Sequence, residues 1–220
     1  MKDGKKQASP QVLIYSEECT KVLYSEMNRE NDLALPKLLL HSCCGPCSTS
    51  VIERLMNDYE ITVFFYNPNI TDREEYIRRR EAQLKVIESF NSMSECKNKI
   101  KYIEGRYEPE VFYKSVSGFE GEPEGGRRCG KCFDLRLEET AQQARINCFD
   151  TFTTTLTVSP HKNYEIISGI GKTMAVKYGV GYLDGNFKKK DGFKRSIELS
   201  KKFGIYRQDY CGCEFSIWKK

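Results

Sequence analysis

Leu38-Leu39-Leu40-His41-Ser42-Cys43-Cys44-Gly45-Pro46-Cys47-Ser48 is the stretch whose reading decides the fold. Its short apolar run without polar alternation reads as a buried strand, and the Cys/Gly/Pro turn stops it. Ser48-Thr49-Ser50-Val51-Ile52-Glu53-Arg54-Leu55 then suits a helix, giving strand, loop, helix. Downstream, Ile61 to Tyr66 is β-branched and aromatic and ends at the turn Asn67-Pro68-Asn69, a second buried strand. A charged helix opens at Thr71 or Asp72 and runs to about Ser89, with Ile77, Leu84 and Ile87 on one face. Lys99 to Glu104 reads as a third strand and Pro109 to Val116 as a short helix. Gly118 to Gly130 breaks regular structure and delivers a cysteine pair to the start of a helix over Phe133 to Arg145. Phe149 to Val158 reads as a strand, Asn163 to Tyr178 as a helix, Val180 to Leu183 as a strand and Phe193 to Phe203 as an amphipathic helix. Such alternation predicts an α/β fold: a parallel sheet with helices on both faces and cysteine-rich loops at the strand C-terminal edge.

With 220 residues, 39% of them hydrophobic, the chain is long enough for one complete core. Residues 1–35 are polar and without strong period; they read as an N-terminal extension, with a helix around Glu18 to Arg29, ahead of a catalytic domain over 36–220. No apolar run approaches the roughly 20 residues that cross a bilayer. The basic start lacks an apolar region behind it, so no membrane partner is expected and the cytosol is the expected compartment. The net charge of +4 tolerates a polyanionic partner without requiring one.

Ten cysteines are unusual in such a chain. Seven gather in three groups: Cys43, Cys44 and Cys47; Cys129 and Cys132; Cys211 and Cys213. Cys19, Cys96 and Cys148 stand apart and read as small free hydrophobes. Clustering favours metal or redox chemistry over a disulfide framework. In an open parallel sheet, loops after the strands collect along one edge, where all three groups can meet. A Cys-x-x-Cys turn returns two thiolates to one metal or cluster, and a helix N-terminus stabilises thiolates. Cys211-Gly212-Cys213 can form a strained, easily reduced disulfide bond or offer both thiolates to a metal. A structural zinc needs only four cysteines, and adjacent Cys43 and Cys44 suit one tetrahedral ion poorly.

Five segments in this order, LLLHSCCGPCS at 38–48, FFYNPNI at 64–70, RCGKCFDLRLEETA at 128–141, FTTTLTVSPHKN at 152–163 and YCGCEFS at 210–216, resemble the QueH-type epoxyqueuosine reductases, which are cobalamin-independent iron–sulfur enzymes. The resemblance implies a fold like the PP-loop, or HUP-like, nucleotide-binding domain, with cysteines in the loop that elsewhere cradles phosphate. It implies reduction of the epoxide of epoxyqueuosine in tRNA to queuosine, the last step of queuosine biosynthesis. It further implies a [4Fe-4S] cluster held by Cys43, Cys44, Cys129 and Cys132 and a redox-active pair, Cys211 and Cys213. In the alternative partition that the resemblance leaves open, a further single iron beside the cluster would take Cys44, Cys47 and one of Cys211 or Cys213 instead. An electron donor is required, and nothing in the residues identifies it.

Among the remaining polar residues, His41 reads as a proton donor, a hydrogen-bond partner to sulfur, or a core histidine at a strand end. His161 lies on a loop after a strand, a placement that favours substrate contact. Arg127, Arg128, Lys188, Lys189 and Lys190 are the leading tRNA phosphate contacts, with the arginines of the charged helix, Arg79 among them, behind. Two other functions fit parts of the pattern. A PP-loop-like tRNA thiolation enzyme needs ATP, yet the Ser-Gly-Gly phosphate loop is missing after the first strand; a non-enzymatic zinc-binding module would be colourless and carry stoichiometric zinc.

Overall fold

The computed structural model describes residues 34–217; the helix expected near Glu18 to Arg29, the N-terminal extension up to residue 33, and Cys19 lie outside the described residues. Five strands, β1 (Lys37–His41), β2 (Glu60–Phe65), β3 (Lys101–Glu104), β4 (Thr151–Thr154) and β5 (Gly181–Tyr182), form one sheet. Every pairing is parallel and the order is β3-β2-β1-β4-β5. The chain leaves β1 toward β2 on one side and later returns through β4 on the other, so the C-terminal ends of β1 and β4 flank a topological switch point, where open α/β sheets place ligands.

Alternation along β1 explains the layers. Leu38 and Leu40 face one side, against α1 (Gly45–Leu55) and α2 (Arg73–Asn91). Leu39 faces the other, against α4 (Arg127–Ile146) and α5 (Tyr164–Tyr178). All three leucines are fully buried, as a strand covered on both faces requires. The remaining helices are α3 (Pro109–Val116) and α6 (Gly192–Lys202); α6 packs on α1, and Phe112 and Val116 of α3 join a small cluster with Cys132 and Cys213. Among the described residues no helix is long and apolar enough to cross a membrane.

Several boundaries differ from the sequence reading. α1 starts at Gly45, with Pro46 in a first turn that needs no N–H, so Cys47 is helical rather than in the loop. α4 starts at Arg127, which places Cys129 and Cys132 inside its first two turns rather than before it. The strand expected to reach Val158 ends at Thr154, where the Thr154 hydroxyl accepts a hydrogen bond from the Leu156 N–H and starts a 3-10 turn over Thr155–Val158. On α2 the expected Ile77–Leu84–Ile87 face is the buried one only in part: Ile87 is buried and Ile77 half-buried, but Leu84 is exposed, while Glu75, Arg79 and Gln83 are buried beside Val86 and Phe90. Asp72 is the N-cap, its carboxylate accepting from the Glu75 N–H at 2.7 Å.

Candidate functional site

β1 delivers Ser42 and Cys43 to the sheet edge, and Cys44 to the N-terminus of α1. The sulfur atoms of Cys43, Cys44 and Cys47 all lie within 4.8 Å of one another, with Cys43 and Cys44 3.9 Å apart. The β4 side completes this corner: the Cys43 N–H donates to Thr155 Oγ1 at 3.3 Å, and Cys43 Sγ lies 3.6 Å from the same oxygen. On the α2 side, Ser42 Oγ donates to Gln83 Oε1 at 2.6 Å. Gly45 permits the close crossing of the helices, because a Cβ there would stand 2.8 Å from the Ala82 carbonyl oxygen.

A cavity of about 280 Å³ opens over the three sulfurs. Its wall also carries Arg79, His161, Lys162 and Cys211. A narrow cleft alongside is lined by Cys129, Phe133 and Asn163 and shares His161, Lys162 and Cys211 with the cavity. All three cysteine groups therefore contribute to one region, although only the first is gathered tightly enough to grip a single ion. Cys132 and Cys213 sit behind this wall in the apolar cluster under α3. Cys211 and Cys213 are free thiols, so the expected disulfide bond is not formed; Cys211 faces the cavity while Cys213 packs against Cys132. Cys96 is a buried free thiol away from the site, whereas Cys148 is not among the free thiols, which corrects its reading as one.

The thiols do not share one acidity. Hydrogen bonding among the three thiols holds the pKa of Cys43 well below the ordinary thiol value, pushes Cys44 up to about 11 and raises Cys47. Burial pushes Cys132 up to about 12 and raises Cys213. Two cations face this set. Arg136, on α4 one turn after Cys132, is buried; its Nε donates to the Cys132 carbonyl at 3.1 Å and its Nη2 has no hydrogen-bond partner. Burial opposes its charge, and the thiols of Cys132, Cys211, Cys43 and Cys129 favour it. Lys162 behaves alike: burial opposes its charge, but Cys211, Cys43 and Cys47 hold its pKa above the ordinary lysine value. Among the described residues neither cation forms an ion pair. A buried guanidinium with an orphaned N–H costs free energy unless negative charge compensates it. The donor set therefore suits a metal group ligated by thiolates.

The other expected residues fall into place less uniformly. His41 is fully buried: a carbonyl can only accept, so Nε2–H donates to the Tyr66 carbonyl at 3.1 Å and Nδ1 accepts from Thr154 Oγ1 at 2.8 Å. Burial pushes its pKa down to about 4. It ties β1 to β4 and β2 and has no proton to offer the cavity, which corrects its reading as a proton donor. His161 is exposed on the cavity wall. Arg128 is corrected too: it is buried over the Phe215 ring, donating to the Glu120 and Glu122 carbonyls, and no phosphate can reach it. Arg127 is exposed and paired with Glu122. Lys189 and Lys190 are exposed, and Lys188 Nζ donates to the Lys162 carbonyl at 2.9 Å, so this basic segment adjoins the cavity wall. Arg79 is buried rather than presented to solvent. Sequence reasoning missed Arg136 and Lys162 as parts of the site. The signal for Arg136 was its position four residues after Cys132, on the same helix face.

The chain matches the family model described as epoxyqueuosine reductase QueH over residues 38–219. Among its relatives, epoxyqueuosine reductase QueH of Staphylococcus epidermidis is 43% identical over 193 residues, covering 87% of this chain and 80% of the relative. That of Streptococcus pyogenes serotype M1 is 42% identical, covering 85% and 72%. That of Thermotoga maritima is 39% identical, covering 83% and 91%. Matched across the sheet, all three cysteine groups and the cavity they share, the chain belongs to the epoxyqueuosine reductase QueH family.

Proposed function

We propose that this chain reduces the epoxide of epoxyqueuosine in tRNA to queuosine: two electrons and two protons enter, both C–O bonds of the epoxide are lost, and the oxygen leaves as water. The observation that carries the reading is the cavity at the switch point, which joins Cys43, Cys44 and Cys47 to Cys211 and Lys162, with the charge of buried Arg136 acting on the same thiols. Membership of the family disfavours the thiolation and zinc-module readings. Cys43, Cys44, Cys129 and Cys132 are proposed to hold a [4Fe-4S] cluster; in the alternative partition Cys44, Cys47 and Cys211 or Cys213 ligate a further single iron instead. When bound, the cluster supplies electrons at low potential and an iron with an open position supplies a Lewis acid.

The chain's own side chains do the rest. Lys162 and His161 are the nitrogen-bearing donors on the loop beside Cys211, placed to deliver protons to the departing oxygen. Lys162 also brings positive charge to the place where negative charge develops. Cys211 and Cys213 are proposed to exchange electrons with the site as a dithiol. Lys188, Lys189, Lys190 and Arg127 are proposed to hold tRNA phosphates, which position the substrate without reading its sequence. Residues 36–220 are taken as the catalytic domain and 1–35 as an extension. The electron donor is left to be identified biochemically.

The test is anaerobic turnover. Protein loaded with iron and sulfide, given dithionite and tRNA carrying epoxyqueuosine, is expected to yield queuosine, seen by nucleoside mass spectrometry as loss of one oxygen atom. Fully loaded protein that leaves the epoxide intact, on tRNA that a related reductase converts, overturns the proposal.

A further inference from the structure

Arg79 is the most unusual side chain on α2. Sequence placed it among the lesser candidates for tRNA phosphate contact, yet it is 2% exposed. A buried guanidinium needs all its N–H groups satisfied, and here they are divided between an anion and a loop. Nε donates to Glu75 Oε1 at 2.6 Å, Nη1 to the Cys211 carbonyl at 3.0 Å and Nη2 to the Tyr210 carbonyl at 3.1 Å. The guanidinium also lies over the Tyr210 ring, 5.0 Å from its centre. Glu75 is itself 1% exposed and accepts from the Tyr206 hydroxyl at 2.9 Å, so the anion is fixed from the same C-terminal segment.

Gly212 completes the contact. Its φ of +114° disfavours any other residue, and a Cβ there would stand 3.0 Å from Arg79 Nη1 and 2.9 Å from Ile70 Cγ1. Its carbonyl accepts from the Thr71 N–H at 3.2 Å. One helix thus grips both loops that meet at the cavity. Arg79 holds Cys211, and one turn further on Gln83 holds Ser42 and Ala82 abuts Gly45. Arg79 is also a wall of the cavity beside Cys43, Cys44 and Cys47.

We propose that Arg79 is a positioning residue: through the carbonyls of Tyr210 and Cys211 it fixes the Cys-Gly-Cys loop in register with the Cys43–Cys47 corner, and Glu75 and Gly212 are the parts that let it do so. Only a planar fork can take two successive carbonyls and a carboxylate together, which makes lysine an incomplete substitute. The kinetic consequence rests on the reductase reading; the structural consequence does not.

Hydrogen exchange of the reduced, metal-free full chain, read by mass spectrometry, tests it with Arg79→Met, Arg79→Lys and Gly212→Ala. Arg79→Met and Gly212→Ala are expected to speed exchange of the Thr71 amide, which donates to the Gly212 carbonyl, by about tenfold or more, as release of the loop implies. Exchange in β1 and β4 stays as in the parent, and Arg79→Lys is intermediate. In turnover, Arg79→Met lowers kcat with little change in KM for tRNA, because the guanidinium hydrogen bonds go to Glu75 and the loop carbonyls. Unchanged exchange of the Thr71 amide, or faster exchange spread equally over β1 and β4, overturns the proposal. If the parent itself shows no reductase activity, the exchange result still decides whether the clamp exists.

Discussion

Replacing Arg136 by methionine is predicted to leave the stability of the metal-free chain nearly unchanged while weakening its hold on metal. In the metal-free chain Arg136 is a buried cation with an orphaned Nη2. Exchanging a buried ion for a well-packed hydrophobe is worth about 1–4 kcal/mol. Against this stand the hydrogen bond from Nε to the Cys132 carbonyl, about 1.5–3 kcal/mol for a charged donor, and the contact with the Phe133 ring, about 0.5–2 kcal/mol. At mid-range these contributions nearly cancel, to about −1 kcal/mol for Arg136→Met, so the melting temperature of the metal-free protein is expected to move by only about 2–4 °C. Loading with metal brings thiolates. A unit charge about 5–8 Å away at an effective dielectric constant of about 20 is worth about 2–3 kcal/mol. Losing it weakens thiolate-bound metal about 30- to 160-fold. Thermal melting of the reduced metal-free proteins gives the first quantity. Titration with Co(II) against a chelator, followed by the thiolate-to-cobalt charge-transfer band, gives the second. Refutation is an Arg136→Met protein that melts well below the parent yet binds Co(II) equally well; Arg136 would then be a brace of α4 and no counter-charge.

Other perturbations follow from single contacts. Gly45→Ala forces a Cβ to 2.8 Å from the Ala82 carbonyl oxygen, so α1 must shift with Cys47; a loss of about 1–3 kcal/mol in urea unfolding is expected, with reduced metal loading. At Asp184, burial opposes ionisation, but bonds from Lys172, Ser168 and Tyr164 outweigh it and hold the pKa below the ordinary carboxylate value. A depressed pKa stabilises the fold above the unfolded value of about 3.9, and that contribution is lost as pH falls through the folded value. Asp184→Asn is therefore expected to lower the urea midpoint at pH 7, with the gap to the parent closing below about pH 4. Replacing Lys189 and Lys190 together by alanine is expected to raise KM for tRNA and to flatten the salt dependence of binding by about one to two units of log–log slope. An unchanged slope would place the phosphates elsewhere.

Much of the fold could be read from local sequence because the two strands β1 and β2 are apolar runs covered on both faces. Leu38 to Leu40 and Ile61 to Phe65 have no other stable place than a doubly covered sheet, and their turns follow directly. Helix starts were less legible. Cys44 and Gly126 precede α1 and α4 without a side-chain cap, so nothing in either segment marks where the helix begins. The cysteines announced the site, since seven clustered thiols have few other uses. Its cations did not announce themselves. Arg79, Arg128 and Arg136 look like any surface arginines in a charged sequence, and only tertiary packing turns them inward, over Tyr210, Phe215 and Phe133. His41 shows the reverse. A histidine two residues from a cysteine group invites a chemical role, yet flanking strands take both its nitrogens.

The central claim is that the three cysteine groups serve one iron–sulfur site. Iron and acid-labile sulfide analysis of the protein purified without oxygen tests it most directly, read with its visible spectrum. The account predicts brown protein with about four sulfides and at least four irons per chain, bleached by dithionite, and loss of that colour in Cys43→Ala and Cys129→Ala alike. Colourless protein with stoichiometric zinc that refuses iron and sulfide, or a Cys129→Ala protein that keeps its full cluster, contradicts it.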